Sequence, residues 1–139
     1  MTLSIRNQLP GTVTSVTAGE AMASVKVTLA GGQDITAAIT TEAVKDLGLA
    51  AGSSVKALVK STEVVLATGP VEGISIRNQL PGSVTEVATG GAMGSVKVSV
   101  QGGELTAAIT KEAVEELGLS AGTSVVALIK STEISLASA

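Results

Sequence analysis

The chain contains only two arginines, Arg6 and Arg77, and both occupy the same place in a repeated octet. The octet Ser-Ile-Arg-Asn-Gln-Leu-Pro-Gly begins at Ser4 and recurs without change from Ser75. A guanidinium group carries several N–H donors in a planar fork, stays protonated, and matches an oxyanion with two parallel hydrogen bonds. Two arginines in register therefore indicate two copies of one anion-binding site.

Lysine and hydroxyl side chains recur in register with the arginines. Ser4 and Arg6 are two residues apart, so on an extended segment they lie on one face. If they converge with Lys60, Ser61 and the start of a helix at Thr40, the site holds hydrogen-bond donors and positive charge, without a general base or a cation cage. Such a site suits a compact dianion. The corresponding residues of the second copy are Ser75, Arg77, Thr110, Lys130 and Ser131.

A simpler interpretation of the same residues requires no ligand. Arginine and lysine side chains on small β proteins are mostly solvated or in weak surface ion pairs, and Glu42 or Glu63 would be suitable partners here. Thr40 would then be a helix cap only, although capping and anion binding are compatible. Gly31-Gly32 is a turn without a phosphate-loop context, so it does not indicate a nucleotide site.

The elements that position these residues are predicted by the hydrophobic pattern of each repeat. Alternation of apolar and polar residues predicts strands at 11–17, 24–29, 35–39, 55–59 and 63–67. Thr40 is the predicted N-cap of a short helix, Thr41 to Leu47, which ends at Gly48. This order predicts an all-β fold with short helices, organised as two tandem OB-like five-stranded β-barrels. The predicted domains are 1–67 and 74–139, joined by a linker at 68–73.

Composition excludes several classes of function. The 139 residues include no Cys, His, Phe, Tyr or Trp, so a thiolate nucleophile, an imidazole base and a zinc cluster are absent, and we expect no enzyme. A net charge of −3 and the missing aromatic residues disfavour nucleic-acid binding. No apolar run approaches membrane-spanning length and the N-terminus lacks a leader pattern, so we expect a cytoplasmic protein without a membrane partner. Units this small are expected to pack together and to oligomerise.

Four motifs resemble the molbindin family of small molybdate-binding proteins. They are Ser-x-Arg-Asn-Gln-Leu-Pro-Gly at 4–11, Ala-Ala-Ile-Thr at 37–40, Leu-Gly-Leu at 47–49 and Val-Lys-Ser-Thr-Glu at 59–63. Both repeats carry the resemblance, which implies an OB-like barrel (a Mop domain) in each repeat, a homotrimer, and oxyanion sites between subunits. It places the backbone amides of Ala43 and Ala113 beside Thr40 and Thr110 in those sites. Asn7 and Asn78 are further candidates at a threefold axis, or they hold the turn into Leu9-Pro10-Gly11.

The resemblance implies storage of molybdate, with tungstate as a second ligand, by reversible capture without catalysis. The alternative hypothesis is an anion-responsive regulatory or adaptor module that acts through a partner protein, because the sequence carries neither a DNA-binding helix-turn-helix nor an ATPase loop. A third interpretation, an OB-fold nucleic-acid binder, is opposed by the charge and by the missing aromatic residues.

Overall fold

The computed structural model describes all 139 residues and contains ten strands in two five-stranded sheets. The elements of the first repeat are β1 (Asn7–Ala18), β2 (Met22–Leu29), β3 (Asp34–Thr40), α1 (Thr41–Leu47), β4 (Ser54–Val59), a 3₁₀ turn (Ser61–Glu63) and β5 (Val65–Ala67). Those of the second repeat are β6 (Asn78–Thr89), β7 (Met93–Val100), β8 (Gly103–Thr110), α2 (Lys111–Leu117), β9 (Ser124–Ile129), a 3₁₀ turn (Ser131–Glu133) and β10 (Ser135–Ser138). The mostly-β class with two short helices and tandem OB-like units is confirmed.

The apolar faces of both sheets form one continuous core. On β2 the inward residues alternate as the pattern predicts, with Val25 and Val27 fully buried, and β7 repeats this with Val96 and Val98. These residues belong to one cluster that includes members of both repeats. Valine, leucine, isoleucine and alanine fill it without any aromatic side chain. The two repeats therefore pack together, as units of this size require.

The last strand of each repeat joins the sheet of the other repeat. One sheet has the strand order β10-β4-β1-β2-β3, and the other has the order β5-β9-β6-β7-β8. In both exchanges an antiparallel pair forms across the repeat boundary, Ser135 opposite Leu58 and Val65 opposite Leu128. Each sheet thus contains four strands from one predicted domain and a fifth strand from the other, so sheet membership crosses the predicted boundaries.

Both helices begin and end where capping chemistry places them. The Thr40 hydroxyl accepts a hydrogen bond from the Ala43 N–H at 3.1 Å, and Gly48 ends α1 with a φ of 61°. Thr110 and Gly118 do the same for α2. An N-cap hydroxyl replaces a missing intrahelical acceptor, and a glycine adopts the left-handed conformation without strain from a Cβ. The predicted helix bounds of the first repeat, Thr41 to Leu47, are confirmed.

Two parts of the predicted strand pattern were wrong. The first strand begins at Asn7 and includes Pro10, four residues earlier than predicted, because Asn7 pairs with Val59 of β4 and continues the ladder. The fifth strand begins only at Val65, because Ser61–Glu63 form a 3₁₀ turn. At this turn the chain leaves one sheet and enters the other. The stretch Lys60-Ser61 therefore lies at the crossover between the sheets, and so does Lys130-Ser131.

Candidate functional site

Strand register places the arginine and the lysine of each repeat at the same end of a strand pair. Asn7 lies opposite Val59 in the antiparallel pair of β1 and β4, so Arg6 and Lys60 are the next residues beyond the end of this ladder. In the second repeat Asn78 lies opposite Ile129, with the same consequence for the residues that flank this pair. A ladder of backbone hydrogen bonds therefore sets where the arginine and the lysine of each repeat leave the sheet.

The second-repeat residues line a common cavity. Its volume is about 310 Å³, and its walls include Arg77 and Lys130, the two cations of this repeat that were predicted to converge. The complete lining is Ser75, Ile76, Arg77, Lys130, Ser131 and Thr132. Four of the six site residues predicted for this repeat therefore lie together. Two further cavities lie elsewhere, and neither contains Ser4, Arg6, Lys60 or Ser61.

Both arginine side chains fold back onto the backbone just before them. Arg6 donates from Nη2 to the Leu3 carbonyl at 2.8 Å and from Nε to the Ser4 carbonyl at 3.3 Å. Arg77 makes the equivalent bonds to Ile74 and Ser75 at 3.0 and 3.3 Å. These contacts use one edge of a guanidinium that has five N–H donors, so other donors remain for a ligand.

The surface ion pairs offered by the simpler interpretation do not form. The two ion pairs in the structure are Lys97 with Glu86 at 3.4 Å and Lys111 with Glu115 at 4.0 Å. Neither involves an arginine or the lysines at 60 and 130. Each predicted cluster therefore keeps two uncompensated positive charges, in a chain that is negative overall. That concentration of charge favours a dianion over a neutral ligand.

The helix caps are separate from the arginine and lysine clusters within one chain. Thr40 and Thr110 are exposed, and the neighbouring Ala43 and Ala113 are half-buried. None of these four residues lines the cavity that contains Arg77. The N–H of each alanine is already donated to its threonine, whose own O–H remains available. The cap residues therefore present hydroxyl donors on a different part of the surface.

The asparagines of the octet have a role that the sequence did not reveal. Asn7 and Asn78 are only 2% and 3% exposed, and each binds a backbone group of the other repeat. They begin strands β1 and β6 and hold no turn, so the interpretation as turn-holding residues was wrong. A sequence signal was present, because Asn7 shares the inward phase of Leu9 and Val13.

No helix combines the length and the apolar character that crossing a bilayer requires. No group of three or more acidic residues is arranged to hold a metal cation.

Two OB-like units in tandem, each with the same candidate donor residues in its sequence, define a tandem β-barrel protein. The model of the TOBE domain family matches the chain twice, at residues 3–66 and 74–136. The chain belongs to the TOBE domain family, as a molbindin with two tandem Mop domains.

Relatives with similar sequences carry names related to molybdenum. The chain is 41% identical over 136 residues to the molybdenum-pterin-binding protein MopB of Rhodobacter capsulatus, covering 96% of this chain and 50% of that protein. It is 37% identical over 139 residues to the molybdenum transport protein ModE of Herbaspirillum seropedicae, covering 99% and 52%. The chain thus spans about half the length of these curated relatives.

A solved structure matches the chain over its whole length. It is the cytoplasmic molybdate-binding protein ModG in a crystal form with molybdate bound. The TM-score is 0.96, the sequence identity is 40%, and all of both chains is covered. The fold of the two repeats is therefore the fold of a protein that binds this oxyanion.

Proposed function

We propose that the protein binds molybdate, a tetrahedral dianion, at sites that contain Arg6 in the first repeat and Arg77 in the second. The observation that carries the proposal is the cavity in which Arg77, Lys130 and Ser131 converge without any acidic partner. An arginine and a lysine neutralise the two charges, and the hydroxyls donate to the oxygens. The molybdate-bound structure of a relative with the same fold supports this choice of ligand.

The complete site is proposed to require a second copy of the chain. The cap residues Thr40 and Ala43, and likewise Thr110 and Ala113, do not reach the cavity within one chain. A neighbouring subunit could present its cap opposite the arginine and lysine and close the open side of the cavity. A homotrimer with sites between subunits has this arrangement, and it follows the assembly that the family resemblance implies.

The proposed role is reversible storage of molybdate, with tungstate as a second ligand, in the cytoplasm. Every side chain assigned to the site is a hydrogen-bond donor or a cation, and none is placed to transfer a proton or form a covalent bond. Binding that leaves the oxyanion chemically unchanged fits capture and release. Tungstate has the same shape and charge as molybdate, so the same donors would hold it.

Titration calorimetry of the protein with molybdate, with sulfate in parallel, tests this function. We expect several molybdate ions per assembly, whose mass is measured in the same buffer, and loss of most of this binding in the double variant Arg6→Ala, Arg77→Ala. Calorimetry is suited to a chain without Trp or Tyr, which has no fluorescence signal.

A matched control removes the same number of charges elsewhere. Lys45 and Lys56 are exposed, and neither lines the cavity. The double variant Lys45→Ala, Lys56→Ala should therefore retain the stoichiometry of the parent. Unchanged stoichiometry in the arginine double variant would refute the site. Equal losses of binding in both double variants would show that the effect comes from the net charge of the protein and not from the site.

A further inference from the structure

One buried asparagine connects the candidate site of the second repeat to the sheet of the first. Asn78 accepts a hydrogen bond at Oδ1 from the Thr36 N–H at 2.8 Å, and its Nδ2 donates to the Thr36 carbonyl at 2.9 Å. Thr36 lies on β3, the edge strand of the other sheet. The carboxamide presents one of its N–H donors and its acceptor oxygen to Thr36 in peptide-like geometry, so it occupies the edge as a neighbouring strand would.

Asn78 has one more contact, and this contact leads into the cavity. Its Nδ2 lies 3.4 Å from Oγ of Ser131, which lines the cavity beside Lys130. An amide nitrogen carries two hydrogens; Thr36 takes one, and the second faces the serine. At this length the bond contributes little to stability. Its effect is to occupy one lone pair of Oγ, which leaves the serine O–H for another acceptor.

We propose that Asn78 is a positioning residue, which orients the hydroxyl of Ser131 toward the bound oxyanion. This inference rests on the proposed molybdate function. A serine hydroxyl in a wide cavity rotates freely, and holding one rotamer before binding lowers the entropic cost of the complex. Because Asn78 is itself held by two short bonds to Thr36, it is a rigid support for this contact.

The first repeat supplies a matched comparison. Asn7 makes the same two bonds to Thr106, at 2.8 and 2.9 Å, and makes no hydrogen bond to Ser61. Loss of either carboxamide therefore removes the same link between the repeats. Only a substitution of Asn78 also removes a hydrogen bond to a candidate site residue, Ser131.

The experiment measures molybdate affinity by calorimetry in an Arg6→Ala background, in which the second-repeat sites dominate binding. We expect Asn78→Ala to weaken binding about fivefold, the equivalent of one hydrogen bond. Ser131→Ala should also weaken binding, and adding Asn78→Ala to it should weaken binding no further, because Asn78 acts through the serine. Asn7→Ala, which removes the matching link to Thr106 and no contact with a site serine, should weaken binding less than Asn78→Ala does.

If Asn78 only links the two repeats and does not orient Ser131, the same variants should give different results. Equal losses in Asn7→Ala and Asn78→Ala, or additive losses in the Asn78→Ala, Ser131→Ala double variant, would overturn the inference. If Asn78→Ala does not fold, the isosteric Asn78→Asp keeps the acceptor for Thr36, and Asn7→Asp controls for the added charge. If the parent protein binds no molybdate, the proposed function fails, and crystals of the parent and Asn78→Ala decide this inference: an unchanged Ser131 rotamer contradicts it.

Discussion

The two repeats share their backbone chemistry and differ in what surrounds it. Both helix caps and both arginine side chains make equivalent hydrogen bonds in the two copies. The first repeat (1–67) balances five basic residues with five acidic ones, whereas the second (74–139) has four basic and six acidic. Only the second-repeat cluster lines a cavity. The comparison shows that a duplicated scaffold keeps its predicted site residues while their electrostatic surroundings change.

The position after each N-cap is the clearest local difference. Thr41 is 9% exposed, and its hydroxyl donates to the Gly19 carbonyl at 2.9 Å. Lys111 holds the equivalent place in the second repeat, where it is exposed and lies 4.0 Å from Glu115. In the first repeat this position therefore connects α1 to the turn between β1 and β2. In the second repeat it is exposed to solvent and carries a positive charge.

The largest expected effect is the loss of molybdate binding when an arginine is removed, and we expect it to differ between the sites of the two repeats. We expect Arg77→Ala to remove the tighter class of molybdate sites and Arg6→Ala the weaker class, because only the second-repeat cluster forms a cavity before binding. Each loss should weaken the affected class by at least about tenfold, as for a charged hydrogen bond. Calorimetric titration of both single variants measures this, and identical isotherms would show that the two copies are equivalent.

An exchange of residues at the position after the N-cap should affect stability unequally. Thr41→Lys removes a partly buried hydrogen bond and brings an ammonium group toward the core, so the free energy of unfolding should fall by about 2 kcal/mol. Lys111→Thr should change it by less than about 0.5 kcal/mol, since the lysine is exposed. Urea unfolding followed by far-UV circular dichroism, at one protein concentration, measures both. Similar changes in the two variants would contradict the difference in burial.

The smallest expected effect concerns the ion pair between strands β6 and β7 of the second repeat. Glu86 pairs with Lys97 at 3.4 Å on adjacent strands, whereas the first repeat has Ser15 opposite Lys26. Both members of the ion pair are largely exposed. Glu86→Ser should therefore lower the free energy of unfolding by at most about 0.5 kcal/mol, and less at high salt. Unfolding curves at low and high salt would detect a larger contribution.

Local chemistry made part of the fold predictable from the sequence. Thr40 and Gly48 set the bounds of the first helix, because caps act through residues within one turn. The alternation of Val25, Val27 and Leu29 identified a buried face for the same reason. The placement of Arg77 with Lys130 in one cavity was also expected, although the strand register beside it was not.

Contacts between distant residues were outside what the sequence pattern could predict. The fifth strands of the two copies are similar in sequence, so hydrophobic alternation does not distinguish which sheet each one joins. The asparagine links fall in the same category, since the partner of Asn7 is Thr106 and that of Asn78 is Thr36. The arrangement of caps and cavities between subunits depends on a second molecule, and it stays a prediction.

The exchange of β5 and β10 explains what fusing two copies in one chain achieves. In a molecule with a single copy, the fifth strand of the sheet would have to come from another molecule. Completion of the sheet would then depend on the protein concentration. Residues 68–73 join the two repeats that exchange these strands. The effective concentration of one repeat around the other therefore does not change when the protein is diluted. Tandem duplication therefore converts an encounter between molecules into a step of folding.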